Sequence, residues 1–465
     1  MITVKNKISL DYREPESNAR RSKLTFPKIK RIEDLFLLCL GATIRVDVHV
    51  FGRLALAELI AIVLLFLYFG KVKKVLKAKE SIIFFNLIFL WFFAIIISDI
   101  HNSTSLDFMM LGLARPIIIS ILFFLLFALL KDNPNSIVFF FIGLVLAGVQ
   151  NLIIPTDFRA ASLSDTDSYA FFAFVYTPLL IAGSAFLAWI IFPLGAIWAF
   201  GILCLTGMFS LVDFSRTTSS AFFIAAVFIV LGNKLGLKIE NNLSKRVFLK
   251  RIVKIGLFSF VLITFLHIYV GLAVGGFMGE RVQEKTISQT NRPSEYPLVN
   301  LFLTGRHYNI SNYLMITENP VFGTGSWPLT GSYDYRAMLL IDSNISENFL
   351  NRMNTHRGTG HSIILGNWAN YGPLALPFWI FILFCSIGLL RLTYTYKRRL
   401  FVFLSVFIII FMFSIFFNNL NSLNRFFTAL VPLLLILIRH EAEKDYITAE
   451  AETLHNPDTA SQSVE

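Results

Sequence analysis

The sequence predicts an all-α integral membrane protein with about twelve transmembrane helices and one large, partly helical external loop. Of its 465 residues, 55% are hydrophobic and only 15% are charged, whereas an ordinary soluble domain has about 25% charged residues. The mean hydropathy is +0.65. A surface with so few charges could not keep this much apolar side chain out of water. The composition therefore excludes a soluble protein, and most apolar residues must face lipid.

The chain contains a series of long apolar runs. About 20 apolar residues in a helix cross a bilayer, and a helix satisfies its own backbone hydrogen bonds where no water is present. The first and last runs are short, and the first ends at Arg45 and Asp47. The predicted spans start near Ile32, Leu54, Ser81, Pro116, Ser136, Tyr169, Ile191, Thr217, Ile255, Pro373, Phe401 and Phe426.

These spans divide the chain into five segments. Residues 1–31 form an N-terminal segment, 32–275 hold the first nine spans, and 373–438 hold the last three. Residues 276–372 form the long external loop, which is rich in aromatic residues and therefore predicted to fold. Residues 439–465 form a polar tail with the composition of a disordered end.

The positive charge is distributed unevenly across the membrane. If both termini lie on one side, 28 of the 41 lysines and arginines and 15 acidic residues lie on that side. Its net charge is then about +13, and that of the other side is about −1. Cytoplasmic loops carry such an excess, so both termini are predicted to be cytoplasmic. The overall charge of +11 then orients the chain, and no nucleic-acid partner is expected.

The sequence offers no convincing metal or cofactor site. Cys39, Cys204 and Cys385 lie in apolar runs without ligand spacing, as packed thiols do. His356 and His361 are five residues apart in a glycine-rich stretch with no carboxylate nearby, which matches no familiar zinc pattern. We expect no metal and no cofactor.

Two arginines on the external side are candidates for anion binding. Arg216 stands between two apolar runs with almost no loop around it, and a guanidinium at a membrane boundary is costly unless it meets an anion or water. It could also snorkel or pair with Asp213. Arg306 precedes a predicted amphipathic helix that ends at Asn319-Pro320, and it could equally be an ordinary surface arginine.

His361 is the candidate proton acceptor. It stands where the external loop passes into the tenth predicted span. A histidine at a water boundary titrates near neutral pH and can take a proton from a hydroxyl. The alternative is an interfacial ring with one hydrogen-bond partner.

Three passages resemble the superfamily of bacterial O-antigen ligases and O-antigen polymerases. Ser215-Arg216-Thr217 is similar to its motif at the periplasmic start of a span. Arg306, followed by Asn319-Pro320 and Gly323-Thr324-Gly325, resembles its arginine, helix and glycine segment. His361-Ser362, nine residues and Gly372 resemble the ligase pattern, from which Ala375 departs. The resemblance runs from Ser215 to Leu390, and a looser likeness at 158–172 adds Arg159.

The resemblance implies a glycosyltransferase in the bacterial inner membrane whose active site faces the periplasm. Its donor would be a glycan on undecaprenyl diphosphate, and its acceptor would be a sugar of the lipid A core or of another glycan. Arg216 and Arg306, with Arg159 as a weaker candidate, would bind the diphosphate, and His361 would activate the acceptor hydroxyl. The reaction would be metal-independent and would invert the anomeric carbon, since no external carboxylate is an obvious nucleophile.

Several functional alternatives remain at this point. A ligase, which transfers the finished O-antigen, fits the spacing from His361 to Gly372 better than a polymerase of the same superfamily, which extends lipid-linked chains. A flippase for a lipid-linked glycan would share the basic cytoplasmic face, but it predicts ionisable residues in several spans. In a structural or sensory membrane protein the external arginines would be incidental.

Overall fold

The computed structural model describes the chain in ten stretches. They are residues 28–49, 53–72, 79–153, 177–212, 216–235, 264, 267–277, 279–290, 307–341 and 362–455.

Helices dominate the described residues. The only strands among them, β1 (Asp47–His49) and β2 (Arg53–Ala55), form a small antiparallel pair with Val48 opposite Leu54. Residues 267–274 are also helical. The helices are α1 (Ile32–Thr43), α2 (Leu56–Val72), α3 (Lys79–His101), α4 (Leu106–Leu130), α5 (Ile137–Ile153), α6 (Thr177–Ile191), α7 (Ala196–Val212), α8 (Arg216–Leu235), α9 (Glu280–Thr290), α10 (His307–Glu318), α11 (Gly331–Ile341), α12 (Ile363–Tyr371), α13 (Leu376–Tyr396), α14 (Arg398–Phe417) and α15 (Ser422–His455).

The apolar helices confirm an all-α membrane protein. Within the described stretches, six helical segments are long and apolar enough to cross a bilayer, and four apolar helices are shorter. The count of twelve spans remains a prediction, because the predicted starts at Tyr169 and Ile255 lie outside the described residues. The six are Ser81–His101, Leu106–Leu130, Pro134–Ile153, Pro373–Tyr396, Arg398–Phe417 and Ser422–Asp445; the shorter ones are Leu56–Tyr68, Leu179–Leu194, Ala196–Ser210 and Thr218–Gly232.

Helix α4 starts ten residues earlier than the sequence predicted. Proline is common in the first turn of a helix, but Pro116, the predicted start, lies inside α4. The Ser120 hydroxyl donates to the Pro116 carbonyl oxygen at 2.9 Å. Arg115, which the sequence placed in a loop, is therefore part of a helix.

The C-terminal end also differs from its prediction. Helix α15 continues to His455, although the composition of residues 439–465 predicted a disordered tail. Residues 456–465 lie outside the described stretches.

Close packing of small and aromatic residues holds the bundle together. Helices α1 and α5 cross at Gly41 and Gly143, where a Cβ added to Gly143 would lie 2.8 Å from the Gly41 Cα. Small residues allow such approaches between helices in lipid. Among the aromatic pairs, Phe84 stacks on Phe123 with ring centroids 4.3 Å apart. These contacts provide the dispersion energy that the hydrophobic effect cannot supply between lipid-exposed helices.

Polar contacts distinguish the two ends of the bundle. At one end, Ser136 at the start of α5 donates to the Asp34 carboxylate of α1 at 2.7 Å. At the other end, the start of α2 meets the start of α15, where Glu58 pairs with Arg425. We name this second end, where α10, α11 and α12 also lie, the loop end.

Four helices lie in the described part of residues 276–372. They are α9, α10, α11 and α12. Helix α12 packs against α3, α10 and α14, so this segment is joined to the bundle.

Candidate functional site

The four predicted site residues fall outside the part of the chain whose side chains are described. Arg159, Arg306 and His361 are in stretches without description, and Arg216 begins α8 without a described side chain. The roles of these residues therefore stay predictions. The residues that follow Arg306 and His361 are described, and they define the surroundings of the candidate site.

Helices α10 and α12 begin next to each other at the end of α14. The Ser362 hydroxyl accepts a hydrogen bond from the Leu365 amide at 3.1 Å, which caps α12. The same hydroxyl donates to the Ile415 carbonyl oxygen at 3.4 Å. The Asn309 side-chain amide, in the first turn of α10, donates to the Phe416 carbonyl oxygen at 3.5 Å. Both helices thus start beside consecutive carbonyl groups.

The opposite ends of α10 and α12 also meet. The Trp368 indole donates to the Pro320 carbonyl oxygen at 3.2 Å. The Thr324 amide donates to the Ala369 carbonyl oxygen, and the Gly325 amide donates to that of Asn370, both at 2.9 Å. The two helices therefore run parallel. We name residues 319–330, which follow α10, the glycine loop.

The glycines of this loop are required for close packing. Gly323 has φ +68° and Gly325 has φ +81°, values that side chains other than glycine rarely adopt. A Cβ at Gly323 would overlap the Asn370 backbone, and one at Gly372, which has φ +76°, would overlap the Val321 carbonyl oxygen. The predicted turn at Gly323-Thr324-Gly325 is confirmed, and the lack of a side chain at Gly323 allows its backbone to contact that of α12.

The amides of the glycine loop are already used inside the protein. The Gly325 amide donates to Ser98 Oγ at 3.1 Å as well as to Asn370, and the Ser326 amide donates to Asp99 Oδ1 at 2.5 Å. A phosphate cradle needs free amides that point at the ligand. The described loop is therefore a packing element.

Three residues at the end of α3 hold the glycine loop and α12 together. We name Ser98, Asp99 and Asn102 the α3 clasp. The Ser98 hydroxyl donates to the Asn370 carbonyl oxygen at 2.7 Å, and the Asn102 side-chain amide donates to that of Gly323 at 3.1 Å. Asp99, which is 1% exposed, accepts from the Ser326 hydroxyl at 2.8 Å as well as from its amide.

Arg115 and two aromatic residues extend this network. The Arg115 guanidinium donates to the Tyr371 hydroxyl at 3.4 Å and lies 5.4 Å from the Trp327 ring centroid. The Tyr371 hydroxyl is also 3.4 Å from Ser326 Oγ. Sequence reasoning missed this arginine because it placed the start of α4 at Pro116.

Helix α11 is attached to α10 by an ion pair. Arg336 donates to the Glu318 carboxylate at 2.5 Å, and this hydrogen bond is the main reason why the pKa of Glu318 is lowered. Burial, together with its hydrogen bond to Glu318, raises the pKa of Tyr333. These contacts make α10, α11 and α12 one packed unit at the loop end.

A small cavity lies inside the bundle near the same end. Its volume is about 50 Å³, and its lining is apolar apart from Arg45 and Asn424. A binding site for a glycan needs several polar groups to orient its hydroxyls, and this lining offers few. We therefore expect a glycan site outside this cavity.

The search for metal ligands is limited to the described residues. Among them, no group of three or more His, Cys, Asp or Glu side chains could hold a metal ion. His356 and His361 lie outside them. The metal-independent reaction therefore remains a prediction.

Comparisons with known proteins provide no identification. No protein family, no curated protein and no solved structure matches this chain significantly.

Proposed function

We propose that the chain is a glycosyltransferase of the bacterial inner membrane that acts on the periplasmic side. It transfers a glycan from undecaprenyl diphosphate to an acceptor sugar, and it attaches O-antigen to the lipid A core as an O-antigen ligase does. The motifs around Arg216, Arg306 and His361 carry the resemblance on which this proposal is based.

One structural observation supports the proposal more than any other. Arg306 directly precedes α10, and His361 directly precedes Ser362, the cap of α12. These parallel helices start beside the consecutive carbonyl groups of Ile415 and Phe416. Arg306 and His361 are 55 positions apart in the sequence, but the helices that follow them begin side by side. Two residues of one active site require such proximity.

The arginines would act on the leaving group. The lipid keeps the donor diphosphate at headgroup depth, where Arg216 and Arg306 would offer planar, permanently charged, bidentate donors. Negative charge grows on the diphosphate as the bond from the sugar carbon to the oxygen breaks. Fixed guanidinium groups stabilise that charge better in a partly dry site than water does.

His361 would act on the acceptor. As a neutral imidazole it would accept the proton of the acceptor hydroxyl while the oxygen attacks the anomeric carbon from the face opposite the diphosphate. One such displacement inverts the configuration of the carbon. The Ser362 cap, which fixes the first turn of α12, would help to hold the preceding residue in place.

A polymerase of the same superfamily is the second candidate. The ligase pattern continues three residues after Gly372, where this chain has Ala375. Ala375 is fully buried in a short 3₁₀ helix after the Gly372 turn, so a small side chain fits the packing here. A flippase is less well supported, since Glu58, an ionisable residue of the apolar helix α2, is paired with Arg425 near the loop end.

Deletion of the gene and analysis of the surface polysaccharide tests this proposal. A ligase predicts loss of all long glycan from the lipopolysaccharide together with accumulation of lipid-linked polymer. A single repeat attached to the core would indicate the polymerase, and an intermediate trapped on the cytoplasmic side would indicate the flippase. An unchanged glycan profile would refute the proposed function.

Complementation of the deletion strain tests the site. Arg216→Ala, Arg306→Ala and His361→Ala should each fail to restore the glycan at normal membrane levels of protein. His356→Ala is the matched control for His361→Ala and should restore it. Full restoration by any of the first three variants would remove that residue from the site.

A further inference from the structure

The carboxylate of Asp99 is buried beside the C-terminal ends of the parallel helices α10 and α12. It is 1% exposed and accepts two hydrogen bonds from Ser326, at 2.5 Å from the amide and 2.8 Å from the hydroxyl. A buried carboxylate is costly unless such bonds compensate its desolvation. Asp99 therefore fixes the glycine loop firmly to the end of α3.

The other two members of the α3 clasp extend this hold to α12. Ser98 accepts from the Gly325 amide and donates to the Asn370 carbonyl oxygen. Asn102 donates to the Gly323 carbonyl oxygen. One turn of α3 thus holds the segment after α10 and the last turn of α12 at the same time.

The same two helices are held at their other ends by α14. Ser362 and Asn309 donate to the Ile415 and Phe416 carbonyl oxygens. Helix α12 has 9 residues, which is about 13 Å of helix. Because α12 is short and rigid, a small shift of its last turn at the α3 clasp also displaces its first turn, beside which the proposed chemistry occurs.

We propose that Asp99 is a positioning residue for glycosyl transfer, which sets the relative placement of α10 and α12 by holding the glycine loop. This inference rests on the proposed function. Asp99 does not contact the reacting groups in this account, because the clasp lies at the far ends of both helices. Misplacement of catalytic groups by about 1 Å can reduce a rate by about 100-fold, so a loosened clasp should reduce turnover.

Comparison of Asp99→Ala with Asp99→Asn distinguishes a positioning role of Asp99 from the role of a charged catalytic group. The alanine variant leaves the Ser326 amide without an acceptor and its hydroxyl with only the Tyr371 hydroxyl, at 3.4 Å. Ser98 and Asn102 still hold the loop, so the protein should fold. The asparagine oxygen can still accept from the Ser326 amide, and its NH₂ group can donate to the Ser326 hydroxyl. Asp107→Ala, at an exposed site in the first turn of α4 at the same end, is the matched control.

The first measurement is turnover of the purified full chain in lipid nanodiscs. The donor is the lipid-linked glycan extracted from the deletion strain, and the acceptor is lipopolysaccharide core from the same strain. For Asp99→Ala we expect kcat per folded molecule to fall at least tenfold, with KM for the donor changed less than threefold. Asp99→Asn should recover most of kcat, and Asp107→Ala should match wild type.

The second measurement is amide hydrogen exchange, which does not depend on activity. Asp99→Ala should accelerate exchange in peptides covering 319–330 and 363–372, and Asp107→Ala should not. Unchanged exchange in Asp99→Ala, or unchanged kcat, would overturn the positioning role. Equal loss of kcat in Asp99→Ala and Asp99→Asn would also overturn it, since the charge would then be the essential feature.

The two proposals can fail separately. Wild-type protein without transfer activity would refute the proposed function and this inference with it. Wild-type transfer activity that persists unchanged in Asp99→Ala would refute the positioning role and leave the proposed function intact.

Discussion

Removal of Arg425 from its buried ion pair should destabilise the bundle far more than removal of one partner from an exposed ion pair. The Arg425 guanidinium donates to both oxygens of Glu58, at 2.7 and 2.8 Å. The side chains are 9% and 1% exposed. Breaking such a pair leaves an uncompensated buried charge, which costs about 3–5 kcal/mol. We expect Arg425→Met to lower the free energy of unfolding by that amount.

The double variant Glu58→Leu with Arg425→Met provides the thermodynamic test. It removes both charges, so it should be within about 1–2 kcal/mol of wild type although Arg425→Met alone is not. Arg439–Glu443, with side chains 54% and 48% exposed, is the control pair, and Glu443→Gln should cost about 0.5 kcal/mol or less. Unfolding in mixed micelles of increasing denaturing detergent, followed by tryptophan fluorescence, measures these differences. Equal costs for Arg425→Met and Glu443→Gln would refute the argument.

Three further predictions follow from the packing and chemistry at the loop end. Gly372→Ala should cost at least about 1–3 kcal/mol, because Gly372 has φ +76° and an added Cβ would overlap the Val321 carbonyl oxygen. Gly183→Ala, where the added Cβ meets no atom within 4 Å beyond the backbone of its own helix, should be neutral or stabilising, and thermal unfolding compares the two. Arg336 lowers the pKa of Glu318, so the ion pair between them stabilises the fold at pH values above the ordinary glutamate pKa. This stabilisation is lost as the pH falls through the lowered pKa. The melting temperature of wild type should therefore fall more on acidification than that of Arg336→Ala, and parallel curves would contradict this. NMR of the product linkage should show an inverted anomeric configuration, and retention would exclude a single displacement.

Local sequence signals predicted the elements around the site well. The helix after Arg306 was expected to end at Asn319-Pro320, and α10 ends at Glu318. The turn at Gly323-Thr324-Gly325 is present with positive φ at both glycines. Such features depend on proline and glycine geometry, which acts over a few residues.

The buried face of α10 was harder to predict. The spacing of the apolar residues places Tyr313 and Ile316 on one face of α10, but Tyr313 is 62% exposed. Ile316 is buried, in agreement with its spacing, and Met315 is buried beside it, both against Ala369 of α12. The face that a helix buries depends on the direction of its neighbours, and these come from distant parts of the chain.

The α3 clasp could not be found from the sequence. Ser98 and Asp99 stand at the end of an apolar run, where polar residues are expected at any membrane boundary. Their partners Gly325 and Ser326 are 227 positions away. Only the fold shows that the carboxylate of Asp99, at the end of an apolar run, is buried and connects α3 to the glycine loop.

The central claim is that this chain transfers a lipid-linked glycan with the help of Arg306 and His361. The most direct test is the release of undecaprenyl diphosphate by the purified chain in nanodiscs, with lipid-linked glycan and lipopolysaccharide core from the deletion strain. Wild-type protein should release it and form glycosylated core in equal amounts, whereas Arg306→Ala and His361→Ala should do neither and His356→Ala should do both. Absence of release by wild-type protein, or release at the wild-type rate by His361→Ala, would contradict the account.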